Sequence, residues 1–484
     1  SFVTKMASQP EAGGTVSSPL YGEQESLLGR QEDPDKKGGP VPLEDLTQAR
    51  NAFFVWTFFD YIAWGICIEL YTNLFYYVID KGDYSKASLM STIAMSMYSV
   101  ASFFISPVAA TLSDSVGRKP LFILATIVDT AAPIVAGLIP ANWIYITTMV
   151  LQGAGDNSMA CGYSLLADYT TQAPKGHSGS QQDPCFYQWL YWAVRLGKDP
   201  TKLDTEGDGT DYMAYELNIQ FTVVLVIQTF ALALGVLIGE SMYYWTGDYQ
   251  WSYSTGGWIC LPMILYVTWY MPETVPPSRR KPLTRAAVQE AFVSQATSFQ
   301  MFSNNRRLWG LAFVSFLIQL TSAGLYNVIL YWGEWKFGWE TKQEAVALYL
   351  SVMAGVVGAV LGPRLLSLTS GFQYSFLIAG MSMVSAVSCV PAALSSTSAG
   401  AMASLFFFGI GFGNVPAISA QIGSEARPED QGRVQGFNYA VMTVAWCVGP
   451  FMYWAMFDAY LDDDAFEVDD YDDDGDDGDD GDSS

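Results

Sequence analysis

The fold class predicted is an all-helical, multi-pass membrane protein made of two pseudo-symmetric halves, and three observations predict it. Apolar runs of about 20 residues or more recur along the chain, the length that a bilayer core demands of a helix. Lys and Arg collect in alternate connections between these runs. A basic connection at mid-chain separates six runs from five.

Eleven runs read as spans: 52–79, 87–112, 120–140, 142–166, 217–245, 252–271, 308–333, 344–366, 372–394, 400–422 and 434–457. Most carry Gly, Pro, Ser or Ala at intervals, which membrane helices tolerate and use for close packing. The first 50 residues are polar, so no cleavable signal peptide precedes the spans. The chain opens Ser-Phe-Val, which leaves an upstream initiator missing or Met6 as the start.

Orientation follows from the basic residues. With the N-terminal tail placed in the cytoplasm, that side holds 20 Lys and Arg: Lys5, Arg30, Lys36, Lys37, Arg50, Arg118, Lys119, Lys175, Arg195, Lys198, Lys202, Arg279, Arg280, Lys281, Arg285, Arg306, Arg307, Arg364, Arg427 and Arg433. The opposite side holds four, Lys81, Lys86, Lys336 and Lys342. One missed helix would scramble that alternation, so the asymmetry supports the span count as well as the orientation.

The organisation predicted is a disordered cytoplasmic tail over 1–50, a six-helix bundle over 51–271 with a cytoplasmic insert at 169–216, a basic linker over 272–307, a second bundle over 308–457, and an acidic disordered tail over 458–484. The insert holds Phe186, Trp189, Leu190, Trp192 and Val194, an interfacial-helix pattern. Net charge is −24, with 24 basic against 48 acidic residues. From Asp458 onward there are 15 acidic residues and no basic ones, so the rest carries only −9. That balance argues against a nucleic-acid partner. One His (His177) and six Cys, five of them in apolar runs, give no basis for His catalysis, a metal centre or a disulfide scaffold. No G-x-x-x-x-G-K-[ST] loop occurs, which disfavours an ATP-driven pump. No enzyme chemistry and no cofactor are expected.

Between spans two and three the chain reads Ala110-Thr-Leu-Ser-Asp114-Ser115-Val-Gly117-Arg118-Lys119-Pro120. This resembles the cytoplasmic signature of the major facilitator superfamily, G-x-x-x-D-R-x-G-R-[KR], with Asp114, Gly117, Arg118 and Lys119 in place and Ala110 and Ser115 departing from it. The resemblance implies a gating motif: a carboxylate at a helix end that holds cations and helix termini in one conformational state, a Gly for the tight turn, and two cations anchoring the loop. Gln152-Gly-Ala-Gly155 with Tyr163–Asp168 is similar to the superfamily's fourth helix. Arg427–Gly436, with Gly449-Pro450, looks like the tetracycline-resistance-type transporters and their eukaryotic relatives. In span five Glu240 stands where the superfamily's antiporters favour Pro. The resemblance covers about residues 50–457 and implies twelve spans in two bundles. With eleven visible, either the chain is truncated before its last helix or its C-terminal half closes differently, because the Asp/Gly repeat of 472–482 cannot cross a bilayer.

Polar groups at membrane depth are functional candidates by default. The resemblance points to spans one, four, seven and ten as the cavity lining, and these hold Asp60, Glu69 and Asn73; Gln152, Asp156 and Asn157; Gln319 and Asn327; and Asn414 and Gln421. Asp60 and Glu69 lie nine residues apart, about 180° around a helix, so only one of them faces the cavity centre. No Lys or Arg sits in mid-span. Carboxylates without a cation partner fit proton coupling, or a cationic or polyhydroxyl solute, and disfavour an anionic one. Asp129 is expected to be structural, and Asp168, Glu240 and Glu334, near helix ends, to be solvated. Span seven, Gln319 to Trp332, is similar to the sugar-porter seventh helix, so a sugar facilitator is the alternative substrate reading. A non-transporting receptor or scaffold of the same fold is the alternative in kind. In the tail, Glu23, Leu27 and Leu28 resemble an acidic dileucine sorting signal of endosomal, lysosomal and vacuolar proteins; the plasma membrane is the other location considered. The partners expected are a small solute, protons and the bilayer, with the protein a monomer.

Overall fold

The computed structural model of the chain describes residues 41–155, 158–173, 183–195, 212–275, 305–367, 374–424 and 431–469, with isolated positions between 280 and 303. Helix α1 (Leu43–Asn73) runs on through a π-helical turn, Leu74–Ile79. Pro42 precedes its first turn, where a missing N–H is harmless, and Glu44 and Asp45 face the positive end of the dipole. Residues 43–50, expected within the disordered tail, are therefore helical. Leu46 and Ala49 are buried, and Arg50 is drawn wholly inside. Arg50 donates from Nη1 to the Tyr169 hydroxyl at 2.7 Å and pairs through Nη2 with Asp183. Its guanidinium also lies 4.5 Å over the Tyr169 ring.

Helix α2 (Tyr84–Val116) is capped by Asp83, whose side chain accepts from the Lys86 N–H. Gly117 separates it from α3 (Arg118–Leu138). The described parts of span four are α4 (Asn142–Gly155) and α5 (Ser158–Gln172). The insert contributes α6 (Cys185–Arg195), which buries Leu190, Tyr191 and Val194 and exposes Phe186, Trp189 and Trp192. That two-faced pattern suits a helix lying at the headgroup boundary. Tyr191 on the buried face donates to the Gln220 carboxamide oxygen at 2.5 Å, and burial pushes the neighbouring Tyr187 phenol up to about 12, so it remains a neutral donor. Helices α7 (Tyr212–Thr246) and α8 (Tyr249–Tyr270) complete the first half.

The second half comprises α9 (Arg306–Phe337), α10 (Thr341–Ser367), α11 (Tyr374–Leu394), α12 (Ser398–Ile410), a 3-10 turn (Gly411–Asn414), α13 (Val415–Ser424) and α14 (Gln431–Asp469). All eleven expected spans are helical, and no strand occurs among the described residues. Among the described residues, eight helices are long and apolar enough to cross a membrane on length and composition alone: α1, α2, α3, α7, α9, α10, α11 and α14. In span ten the 3-10 turn Gly411–Asn414 divides the helix into shorter pieces. Span six opens on the polar and aromatic stretch Tyr249–Ser254. Helix α14 runs through the first part of the stretch expected to be an acidic disordered tail, because Phe457 packs into the core and Asp458 accepts a 2.6 Å hydrogen bond from Ser85.

The packing repeats between halves. Helix α1 crosses α7 and α9 crosses α14; α2 packs on α4 and α10 on α12. The α1–α7 crossing is close because it is built on two glycines. A Cβ at Gly65 would meet the Leu232 carbonyl, and one at Gly235 would meet the Ile62 carbonyl. The halves join along α2 with α14 and α7 with α10. One relation is not repeated: α8 covers α3, whereas α11, the equivalent of α3, leaves Phe376, Met383, Val387, Val390 and Leu394 exposed. Outward-facing Leu124, Leu151, Phe313 and Phe407 form part of the apolar surface that a bilayer would cover.

Arg50→Ala is expected to leave Asp183 buried without its cation and to destabilise the protein by about 3 kcal/mol or more. Thermal unfolding in detergent checks this, with Arg50→Lys recovering less than half because it loses the fork and the ring contact.

Candidate functional site

A cavity of about 350 Å³ lies between the two halves. The first half lines it with Asp60, Tyr61 and Trp64 of α1, Tyr98 of α2, Tyr163 of α5, and Gln228 and Thr229 of α7. The second half supplies Gln319 and Tyr326 of α9, Ser351 of α10, Ser419 of α13, and Asn438, Tyr439 and Trp446 of α14. The described lining holds one carboxyl group, Asp60, three carboxamides, and no Lys or Arg. Several of these groups are oriented by their neighbours. Trp446 Nε1 donates to Gln319 Oε1 at 2.9 Å, and the Tyr326 and Ser351 hydroxyls stand 2.9 Å apart. Asp60 is 8% exposed, and it also borders a second cavity of about 30 Å³ with Asp129, Gln152, Tyr145 and Tyr253. That space takes about one water. Gln152 donates to Asp129 at 3.4 Å, and Tyr253 to Tyr145 at 3.2 Å.

The sequence-predicted residues divide. Asp60 and Gln319 line the cavity. Asn327 does not: it is buried at the junction of the halves and donates to Thr92 Oγ1 at 2.7 Å. Asn414 sits in the 3-10 turn of span ten and donates to Ser382 at 3.1 Å, a bond inside one half. Gln421 is half-buried on α13 and outside the cavity lining. Asp156, Asn157, Glu23, Leu27, Leu28 and Arg427–Asp430 lie outside the described residues, as does the Glu69 side chain. Lining from α2, α7, α10 and α14 was not anticipated. Gln228 and Asn438, uncharged polar groups inside apolar runs, were the available signal.

At the basic end, Gly117 has φ +110°, a conformation only glycine adopts readily, and a Cβ there would collide with the Glu273 carboxyl group. Glu273 follows α8 and accepts from the Arg118 N–H at 3.1 Å. It also stands 3.6 Å from Arg280 Nη2. The Arg118 side chain reaches Asp168 of α5 at 2.6 Å, so Asp168 is half-exposed but ion-paired rather than simply solvated. Lys119 is half-buried, and the Asp114 side chain lies outside the described residues. The motif thus ties together the ends of α3, α5 and α8, all within the first half.

The opposite end is bridged between halves. Asn73 donates to Glu344 Oε2 at 2.9 Å, Tyr77 to Glu334 Oε1 at 2.7 Å, and Ser96 to the Cys447 carbonyl at 3.0 Å. The hydroxyls of Tyr249 and Thr341 are 3.2 Å apart. Glu334 was expected to be solvated and is instead buried, with the Tyr77 hydroxyl of the π-helical turn donating to it and Tyr84 of α2 beside it. Glu344, fully buried, was not singled out from the sequence: it lies in the first turn of its span, where charge is ordinarily solvated.

Two helical halves around one polar cavity define a multi-pass membrane protein of the transporter class. The chain belongs to the Major Facilitator Superfamily, whose sequence profile matches residues 30–178 and 216–450. Its fold is similar to that of the human organic anion transporter MFSD10 (TETRAN), at TM-score 0.62 and 14% identity over 86% of this chain and 94% of that one. It is also similar to a variant of the nucleoside transporter NupG, at TM-score 0.55 and 12% identity over 85% of this chain and 96% of that one. No curated protein sequence matches it. The chain is therefore an integral membrane protein of a family that carries small solutes across membranes.

Gly117→Val is expected to cost about 1–3 kcal/mol from the backbone alone, with the Glu273 clash added to it. The check is the folded, monodisperse yield and unfolding midpoint in detergent, with Gly117→Val combined with Glu273→Ala recovering the steric part only.

Proposed function

We propose that this protein is a proton-coupled secondary transporter of a small organic solute, working by alternating access of its two halves around the central cavity. The carrying observation is the lining: one carboxyl group, Asp60, carboxamides and aromatic rings from both halves, with no cation among the described lining residues. Asp60 is assigned to the solute or the proton, and Gln319, held by Trp446, to hydrogen bonding with the solute. A neutral or cationic solute with an apolar body suits this chemistry, since Tyr and Trp faces attract cations and the carboxylate compensates their charge. The carboxamides Gln228, Gln319 and Asn438 beside eight aromatic residues favour a polyhydroxyl solute as the second reading. The resemblance to tetracycline-resistance-type transporters is compatible with the first.

Proteoliposomes with a trapped pH dye, challenged with amines, sugars, nucleosides, amino acids and organic acids, test this directly. One neutral or cationic class is expected to move protons, and Asp60→Asn to lower that flux about tenfold or more. Flux driven by organic acids alone would sink the charge reasoning. Absence of both proton and radiolabelled solute movement in folded protein would favour the receptor or scaffold reading.

A further inference from the structure

Glu344 opens α10 at the end opposite the basic loops, and its burial is complete. One oxygen, Oε2, accepts from Asn73 of the other half; Oε1 is enclosed with no hydrogen-bond partner. Around it stand Glu334 and Tyr331 from α9, Tyr71 and Tyr77 from α1 and its π-helical turn, and Glu240 from α7, all within electrostatic reach. Tyr84 of α2 bears on Glu334. The cations nearby are engaged elsewhere: Lys342 acts on Glu240, and Lys336 lies 5.2 Å over the Trp332 ring. An oxygen in dry surroundings, with two carboxyl neighbours and no donor, is a poor place for negative charge and a serviceable one for a proton.

We propose that Glu344 is the carrier of the coupling proton, separate from the solute cavity at Asp60, and that its protonated form holds the two halves together at this end through Asn73. The proposal rests on the transport reading above. In the closed arrangement the proton is on Oε1. When it leaves by way of the cavity to the side of the basic loops, the carboxylate needs donors that the closed junction does not supply, and the junction parts to admit them. A proton taken up from the water at the opened end neutralises the group, Asn73 re-engages Oε2, and the end closes, so that each cycle carries one proton from this side to the other. Glu334, under Tyr77, lies in the same junction and amplifies the penalty for charge on Glu344. Higher pH on this side therefore favours opening, and lower pH favours closure.

The test is a cysteine placed at Thr229 in the cavity lining, in otherwise full-length protein, labelled from the side opposite the basic loops with a membrane-impermeant maleimide and compared with labelling of the six native cysteines alone. Labelling is expected to rise about tenfold between about pH 5 and about pH 9, after correction for intrinsic thiol reactivity with a cysteine at exposed Lys81. Glu344→Gln should be low and flat across that range, while Glu344→Asp, which keeps a titrating group, should retain a response. In proteoliposomes Glu344→Gln should lose proton-driven accumulation but keep solute counterflow, which needs no net proton movement; Asp60→Asn should lose both. Wild-type pH response and undiminished proton-driven accumulation in Glu344→Gln would overturn the assignment. So would a response that vanishes in sodium-free buffer, which would make the occupant a metal cation. Wild-type protein that never accumulates solute under a proton gradient sinks the transport reading instead, and the labelling experiment still decides the role of Glu344.

Discussion

Hydrocarbon offers no hydrogen bonds, so every polar group that the spans carry must be satisfied by the protein itself or by a water-filled space. That constraint sorts the polar side chains of this chain into three sets. Ser and Thr residues largely return their hydroxyls to the preceding turn of their own helix, as Thr126, Thr130 and Ser322 do. Asn327, Thr92, Asn73 and Tyr77 reach across to the other half. Asp60, Gln228, Gln319 and Asn438 meet at the cavity. The first set holds helices, the second joins the two halves, and the third lines the cavity.

The two ends of the molecule solve the constraint differently. At the basic end Arg118, Asp168, Glu273 and Arg280 form a charged cluster within the first half, at a depth where water screens it. Such a cluster fixes the relative positions of α3, α5 and α8 and lets that bundle move as a unit. At the other end the contacts are neutral donors on carboxyl groups and they span the halves. A hydrogen bond to a buried carboxyl group depends on the charge of that group, so this is the junction whose strength a proton can alter.

Much of this was legible in the sequence because it is periodic or additive. The helical spans follow from hydropathy, since it sums over many positions. Asp60 and Gln319 could be named because polar groups at membrane depth are few. Asn327 and Asn414 meet the same criterion and yet make packing bonds, a distinction that depends on which helix face meets a neighbour and not on residue type. The start of α1 was misplaced because residues 43–50 are polar on average, while their burial comes from partners such as Tyr169 and Asp183, which are distant in sequence. Glu334 was expected to be solvated, and Glu344 was not named at all, for a related reason. Near a span's end, hydropathy cannot distinguish a solvated carboxylate from one enclosed by the other half of the protein.

Helices α7 and α10 illustrate why cavity and junction are coupled rather than merely adjacent. They pack against each other across the interface, and both contribute to the cavity wall, through Gln228 and Thr229 on one and Ser351 on the other. The same α10 begins at Glu344, and α7 carries Glu240 towards it. Glu344 and Ser351 thus share one helix, and the Ser351 hydroxyl stands 2.9 Å from that of Tyr326 of α9. The glycine crossing of α7 with α1 extends that linkage to Asp60, because Gly65 and Asp60 share one helix and Gly235 leaves no slack between the backbones. The cavity lining and the junction at Glu344 thus belong to one connected set of helices. Reciprocal coupling between two sites needs such a connection together with two states in which each site makes different contacts.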